Sequence, residues 1–408
     1  MDKIGIPNRE QDPSVQGLQT PELKEGELLD IKFYVTDHSP RHSETGSREQ
    51  LEQLYKDIKK DGINFIRYDW DWNIVQPTSN RFDGGHLDRY QEAKVVMERV
   101  GLEPPTIILS NVPDWAKELY QNNKQAFFKA YAEYVRAVKS RLESSGGKKI
   151  EKIQILNEFN NKIYNPVATE DLPRLCEITR EIFQTYNPNT QLMGSLIVGN
   201  VTDLSSRFNL GTGIDKYLPE FKKIKDSFDT IAVDYYPGLW HLPLKEIDFK
   251  WHLSPAQTLK EVTKTYKQMD FLKDTMKKIA SWGKDYELAE VGLPTNSLFG
   301  DEKNQRYFFD LFFRALKHML LEFQAQHLRL PSRIGLYEAI DEPPRDPLGN
   351  LLSPIHPEFH LGMRRPDTGR KEILQGNRHN QTGPSQLSNI IRYLRSPMQR
   401  SSKSTPQL

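Results

Sequence analysis

Short β-rich runs and longer helical runs alternate along most of this chain, and that alternation is the feature that most constrains its fold. Eight of the short runs can be found, and they predict strands at Asp30–Thr36, Asn64–Tyr68, Thr106–Leu109, Lys152–Leu156, Gln191–Ser195, Thr230–Val233, Glu287–Glu290 and Arg333–Ala339. The intervening runs have helical spacing. Leu51, Leu54, Tyr55 and Ile58 repeat at i, i+3, i+4 and i+7 within Gln50–Lys60. Phe127, Phe128, Tyr131, Tyr134, Val135 and Val138 share one face of Lys124–Leu142. Further helices are predicted at Leu87–Val100, from a Thr169 cap to about Tyr186, at Lys216–Lys225, from Ser254-Pro255 to near Gly283, at Asp301–Phe323 and at Gln386–Leu394.

Strands that alternate with helices form parallel βαβ units, and eight of them predict an α/β fold, a single (β/α)8 TIM barrel. An open doubly wound sheet would carry a glycine-rich turn such as GxGxxG or GxxxxGK[ST] after an early strand, and the chain has neither. All 408 residues fit one barrel. Residues 1–26 are expected as a flexible arm, 27–395 as the barrel and 396–408 as a disordered tail, because both ends are polar and lack apolar periodicity.

Charge and cysteine content exclude several classes of function. Lys plus Arg total 56 against 55 for Asp plus Glu, so a phosphate-binding basic excess is missing and no nucleic-acid partner is expected. The pairs Lys222-Lys223 and Arg364-Arg365 read as solvated surface. The single cysteine, Cys176, allows neither an internal disulfide nor a cysteine-rich metal site, and its helical neighbours mark it as a small buried hydrophobe. No apolar run approaches the length of a membrane span, and the N-terminal stretch lacks a signal-peptide core. A cytoplasmic location with no membrane partner is the expectation, although a chain whose export signal had been removed would read the same way. Nothing in the sequence speaks to oligomeric state.

Active-site groups of such a barrel stand at the C-terminal ends of its strands. Those ends read Arg67-Tyr68-Asp69-Trp70-Asp71-Trp72, then Ser110-Asn111 with Pro113-Asp114-Trp115, Asn157-Glu158, Asp234-Tyr235-Tyr236, Glu290-Val291-Gly292 and Tyr337-Glu338. Carboxylates and aromatic rings recur together there, the mixture that sugar hydroxyls and apolar sugar faces require. Two glutamates facing each other about 5 Å apart could act as proton donor and nucleophile on a glycosidic bond.

At these residues the chain resembles the clan of retaining glycoside hydrolases on (β/α)8 barrels that includes cellulases, mannanases, xylosidases and β-1,3-glucanases. The stretch Ile155-Leu156-Asn157-Glu158 is similar to that clan's strand-four acid/base segment, and Glu287-Leu288-Ala289-Glu290-Val291-Gly292 to its strand-seven nucleophile segment. Arg67 matches its strand-two arginine and Tyr236 its strand-six tyrosine. RYDWDWNIVQPTSNRFDGGHL over Arg67–Leu87, Pro113-Asp114-Trp115-Ala116, and Glu358-Phe359-His360-Leu361-Gly362 with Lys371 are further echoes. Many members carry a tryptophan on strand eight; here Glu338 stands in that place, and the family within the clan is left open.

The resemblance implies an O-glycosyl hydrolase, with Glu158 as acid/base and Glu290 as nucleophile. The implied substrate-binding residues are Arg67, Asn157, Tyr236, Trp72, Trp115 and Glu338, and the implied partner is a β-glycoside or oligosaccharide. Trp70 and Trp240 are further candidate sugar platforms. Glu338 could bind a sugar hydroxyl or hold Arg67, and Asp69 and Asp71 read as solvated loop acids. No cofactor and no metal are expected. His356-Pro357-Glu358-Phe359-His360 lacks the HExxH spacing and an evident further ligand. Ser195 and the ten histidines show no nucleophile elbow. The competing readings are a carbohydrate-binding barrel without turnover, a transglycosylase on the same site, and an enzyme for phosphorylated substrates. The last would need a glycine-rich phosphate loop that is not apparent.

Overall fold

The computed structural model describes residues 31–42, 47–162, 165–198, 212–236, 269–270, 272–292, 302–339, 363 and 386–395. Eight parallel strands close into a barrel in sequence order: β1 (Lys32–Thr36), β2 (Phe65–Asp69), β3 (Thr106–Leu109), β4 (Lys152–Ile155), β5 (Gln191–Val198), β6 (Thr230–Tyr235), β7 (Asp285–Val291) and β8 (Arg333–Leu336). The predicted (β/α)8 barrel is thus the observed fold. The predicted arm, the tail, Trp240, residues 356–362, Lys371 and the start of the helix at Ser254 lie outside the described residues.

Helices pack their apolar stripes on the outside of the strands. The helix Arg48–Lys60 begins with a capping box, in which Gln50 N donates to Ser47 Oγ at 3.3 Å and Ser47 N donates to Gln50 Oε1 at 3.2 Å. Its Leu51, Leu54, Tyr55 and Ile58 are all buried, each contributing about 1.5–3 kcal/mol for the aliphatic side chains. Thr169 does not cap the next predicted helix. It starts a 3-10 turn, Thr169–Asp171, ahead of the helix Leu172–Phe183, and its hydroxyl goes to the Tyr217 hydroxyl at 3.0 Å. Among the described residues, no helix is long and apolar enough to cross a membrane.

Inside the barrel, Tyr34, Phe65, Met193, Ala232 and Ala289 form a packed tier. Gly335 on β8 is required there: a Cβ would lie 2.0 Å from the Ala289 carbonyl oxygen and 2.5 Å from the Tyr34 ring. Below this tier, at the start of the strands, Lys152 is ion-paired with Glu287, and Arg333 lies 3.5 Å from the same carboxylate. Above it, toward the strand ends, the interior turns polar.

One irregularity decides what that polar end contains. Val233 pairs with Leu288, but Asp234 pairs with Glu290, so β7 has one extra residue at this point. Glu287 and Ala289 face the interior, so strict alternation would point Glu290 outward. The bulge reverses the alternation and brings Glu290 inside, next to Asp234.

Candidate functional site

Arg67 is the centre of the polar end. It stands on β2, fully buried, and its guanidinium uses all five N–H groups. Nε and Nη2 donate to Gln154 Oε1 at 3.1 and 2.7 Å, and Nη1 donates to Thr36 Oγ1 at 3.1 Å and to Glu290 Oε1. The second Nη2 hydrogen points to Asn157 Oδ1 at 3.4 Å. Tyr236, just past β6, donates its hydroxyl to Glu290 Oε2. Both oxygens of Glu290 are therefore occupied by donors, one of them a cation. Burial first, then the Glu290 charge, pushes the Tyr236 phenol well above its ordinary range, so it keeps the proton it donates.

Glu158 reaches the same place from β4 by an unusual backbone. Leu156 and Glu158 both have left-handed φ values, 53° and 45°, on either side of Asn157. Non-glycine residues pay about 1–2 kcal/mol for that conformation. Neighbouring strands hold it: Leu156 N donates to Leu109 O at 2.9 Å, and Glu158 N donates to Ser195 Oγ at 3.2 Å. Asn161 Nδ2 donates to Glu158 Oε2 at 2.7 Å. Glu158 and Glu290 are 3% and 4% exposed, so neither is a solvated rim acid.

One carboxylate oxygen from each of Glu158, Asp234 and Glu290 lies within 4.8 Å of the other two. Three acids at that spacing could hold a divalent cation, but Arg67 and Tyr236 already take both Glu290 oxygens. A metal would share those oxygens with a guanidinium, whose positive charge opposes it. Asp234 was not singled out from the sequence, nor was Gln154. The available signal for Gln154 was its place two residues from Lys152 on β4, which turns both inward.

The structure brings Glu158, Glu290, Arg67, Asn157 and Tyr236 together and places the remaining candidates elsewhere. Trp72 is not a sugar platform. It opens a short helix, Trp72–Val75, that turns the ring away from the mouth, where it is fully buried against Trp115, Phe127, Tyr131 and Tyr134. Its indole N–H is satisfied by Gln76 Oε1 at 2.8 Å. Trp70 is likewise fully buried, against Tyr68 and Tyr90. Trp115 stays half-buried, with its indole N–H on the Gln76 carbonyl at 3.2 Å.

Glu338 does not hold Arg67. It is fully buried, and Oε2 lies 2.8 Å from Nδ1 of His38, a residue the sequence reading passed over. Nor are Asp69 and Asp71 solvated loop acids. Asp69 lies 3.0 Å from His38 Nε2 and 2.9 Å from Arg41 Nη2, while Asp71 receives Arg41 Nε at 2.8 Å and the Tyr90 hydroxyl at 2.7 Å. Burial works against both charges in the Asp69–His38 pair and is outweighed. Arg41 and His38 hold Asp69 below the usual carboxylate range, while Glu338 and Asp69 raise His38 well above the usual imidazole range. Tyr337 packs edge-on against both the Tyr236 and His38 rings, at 5.6 and 5.4 Å, so this charged cluster adjoins the glutamate pair. Cys176 is buried as expected, and burial pushes its thiol well up.

No family model and no curated protein matches the chain. Solved structures do. A GH5_18 protein from Streptomyces cattleya, crystallised in complex with Manb1-4GlcNAc, superposes with a TM-score of 0.57 at 13% identity, over 92% of this chain and 83% of that one. A GH5_18 protein from Bifidobacterium longum subsp. infantis gives 0.58 at 12% identity, over 90% and 79%. The exo-beta-1,4-mannosidase Op5Man5 from Opitutaceae bacterium strain TAV5 gives 0.56 at 15% identity, over 90% of this chain and 59% of that one. At these identities the likeness is one of fold, and the fold is the closed (β/α)8 barrel that these glycoside hydrolases share with this chain.

Proposed function

We propose that the protein hydrolyses β-glycosidic bonds with retention, with Glu290 as the nucleophile and Glu158 as the acid/base. The observation that carries this reading is the approach of a Glu158 oxygen to within 4.8 Å of a Glu290 oxygen, at the ends of β4 and β7. Retaining enzymes hold their carboxyls about 5–5.5 Å apart, whereas an inverting pair stands about 6.5–9.5 Å apart to admit a water between them.

In the first step Glu290 attacks the anomeric carbon while Glu158 gives its proton to the leaving oxygen. In the second, Glu158, now ionised, takes a proton from water, which attacks the same carbon and releases Glu290. Arg67 and Tyr236 hold Glu290 in orientation until it attacks. Asn157 Oδ1 is engaged by Gln154 Nε2 at 2.7 Å, which leaves the amide N–H groups to the sugar 2-hydroxyl. The saccharide bound to the Streptomyces cattleya protein and the name of the Opitutaceae mannosidase make β-mannosides the first substrates to try.

The test is release of the aryl group from a panel of activated aryl β-glycosides, β-mannoside first, by the wild type, Glu290→Gln and Glu158→Gln. Glu290→Gln should abolish turnover. Glu158→Gln should slow deglycosylation by roughly 100- to 10,000-fold and let a covalent glycosyl-enzyme accumulate, visible by intact mass. Turnover that survives Glu290→Gln unchanged would remove the nucleophile from this scheme.

A further inference from the structure

We propose that Asp234 is a positioning residue of this site: it is held as the neutral carboxylic acid, and its proton runs through Ser195 toward Asn157, adding a second hold on an amide that Arg67 and Gln154 already orient. The glycosidase reading enters only in what Asn157 then binds.

Arg67 can only donate. Two of its N–H groups point at Gln154, so the atom facing them is the amide oxygen, Oε1. The other end of Gln154 is therefore its NH2 group, which donates to Leu156 O at 2.9 Å and to Asn157 Oδ1 at 2.7 Å. That settles Asn157 in turn: its oxygen faces Gln154.

Ser195 closes the chain on the other side. Its Oγ accepts the Glu158 N–H at 3.2 Å, lies 3.3 Å from Asn157 Oδ1 and is hydrogen-bonded to Asp234 Oδ2. A serine hydroxyl has one proton, and here it faces two oxygens, of which Asn157 Oδ1 already accepts from Gln154 Nε2. With Asp234 ionised that proton goes to Asp234, and the 3.3 Å approach to Asn157 is a plain contact. With a proton on Asp234 Oδ2 both approaches become hydrogen bonds. The acid donates to Ser195 Oγ, and Ser195 donates to Asn157 Oδ1.

The surroundings agree. Asp234 is fully buried, and its Oδ1 has no hydrogen-bond partner among the described residues. It is faced by Ser195 from β5, Glu290 from β7, Arg67 from β2, Tyr34 from β1 and Glu158 from the end of β4. Arg67 faces both Asp234 and Glu290, and its bond goes to Glu290. Burial, followed by the Glu290 charge, drives Asp234 well above the usual carboxylate range, against the pull of Arg67 and Ser195. A neutral Asp234 thus sets no second charge beside Glu290, the residue that must attack. During turnover the Asp234 proton stays in place while that of Glu158 is given and regained.

The test needs no substrate. In the infrared difference spectrum of ligand-free protein at neutral pH, wild type minus Asp234→Asn, the carbonyl stretch of a buried carboxylic acid should be lost, with no loss of carboxylate bands. Ser195→Ala should keep that acid band and shift it, because the acceptor is gone; this variant serves if Asp234→Asn does not fold. Loss of carboxylate bands in Asp234→Asn, or an unshifted acid band in Ser195→Ala, overturns the proposal. Where a glycoside is turned over, Asp234→Asn, whose amide can still donate to Ser195, should exceed Asp234→Ala in kcat/KM by roughly tenfold. Equal losses would also overturn it. If no glycoside is hydrolysed, the glycosidase reading suffers while the infrared result still decides the state of Asp234.

Discussion

The Tyr236 hydroxyl and Glu290 Oε2 are joined by a hydrogen bond across the ends of β6 and β7, on the opposite carboxylate oxygen from Arg67. A bond to a charged acceptor contributes about 1.5–3 kcal/mol. Tyr236→Phe keeps the ring and loses only the donor, so kcat/KM for an aryl glycoside should fall roughly 10- to 100-fold with little change in stability. An unchanged rate would mean that the bond does not orient the attacking group.

Trp72→Ala tests the reassignment of that residue. The ring fills the space between β2 and the helix Lys124–Ser144, stacked on Tyr134 at 5.1 Å. Truncation should lower unfolding free energy by on the order of 3–5 kcal/mol, measured by denaturant titration. Weaker sugar binding at undiminished stability would instead return Trp72 to the substrate site.

Much of the barrel was legible because strands buried on both faces read as nearly continuous apolar runs. All eight predicted strands begin within two residues of the observed ones, as at Thr106 and Gln191. Glu158 and Glu290 were legible as acids at strand ends. The bulge beside Ala289 was not, since one extra residue leaves no mark in composition or period, and with it went the pairing of Asp234 with Glu290. The His38, Arg41, Asp69 and Glu338 cluster was hidden for another reason. Its members come from opposite ends of the chain, and β8 meets β1 only when the barrel closes.

That cluster gives stability a pH dependence of known sign. The imidazole of His38 is raised above its ordinary 6.5, so its contribution is complete below that value and is lost as pH rises through the folded value, on the alkaline side. Asp69 is lowered, so its contribution is present above the ordinary carboxylate value and is lost only as pH falls through a still lower one. The melting temperature of wild type should therefore decline from neutral into alkaline buffer more steeply than that of His38→Gln. The difference amounts to about 1.4 kcal/mol for each pH unit separating the folded and unfolded values. Parallel curves would show that His38 is not charged between its two acids.

At the far end of the barrel, Lys152 and Glu287 are 3% and 0% exposed at their side chains. Lys152→Met alone should destabilise by on the order of 3–5 kcal/mol, because it strands the carboxylate, and Lys152→Met with Glu287→Leu should recover most of that loss. Equilibrium denaturation of the two variants checks both. A double variant no better than the single one would assign the role of the pair to register rather than charge.

The left-handed residues at the end of β4 have a consequence for any laboratory evolution of this protein. Leu156 and Glu158 adopt a backbone that glycine would adopt freely, so the turn presenting Asn157 is a local debt carried by the neighbouring strands. Selection for heat resistance alone would favour replacing exactly these two side chains, and the hardiest descendants would be those in which the turn no longer delivers its amide and its acid. A screen that alternates heat with turnover would keep both, and would move the gains outward, to the helices around the barrel.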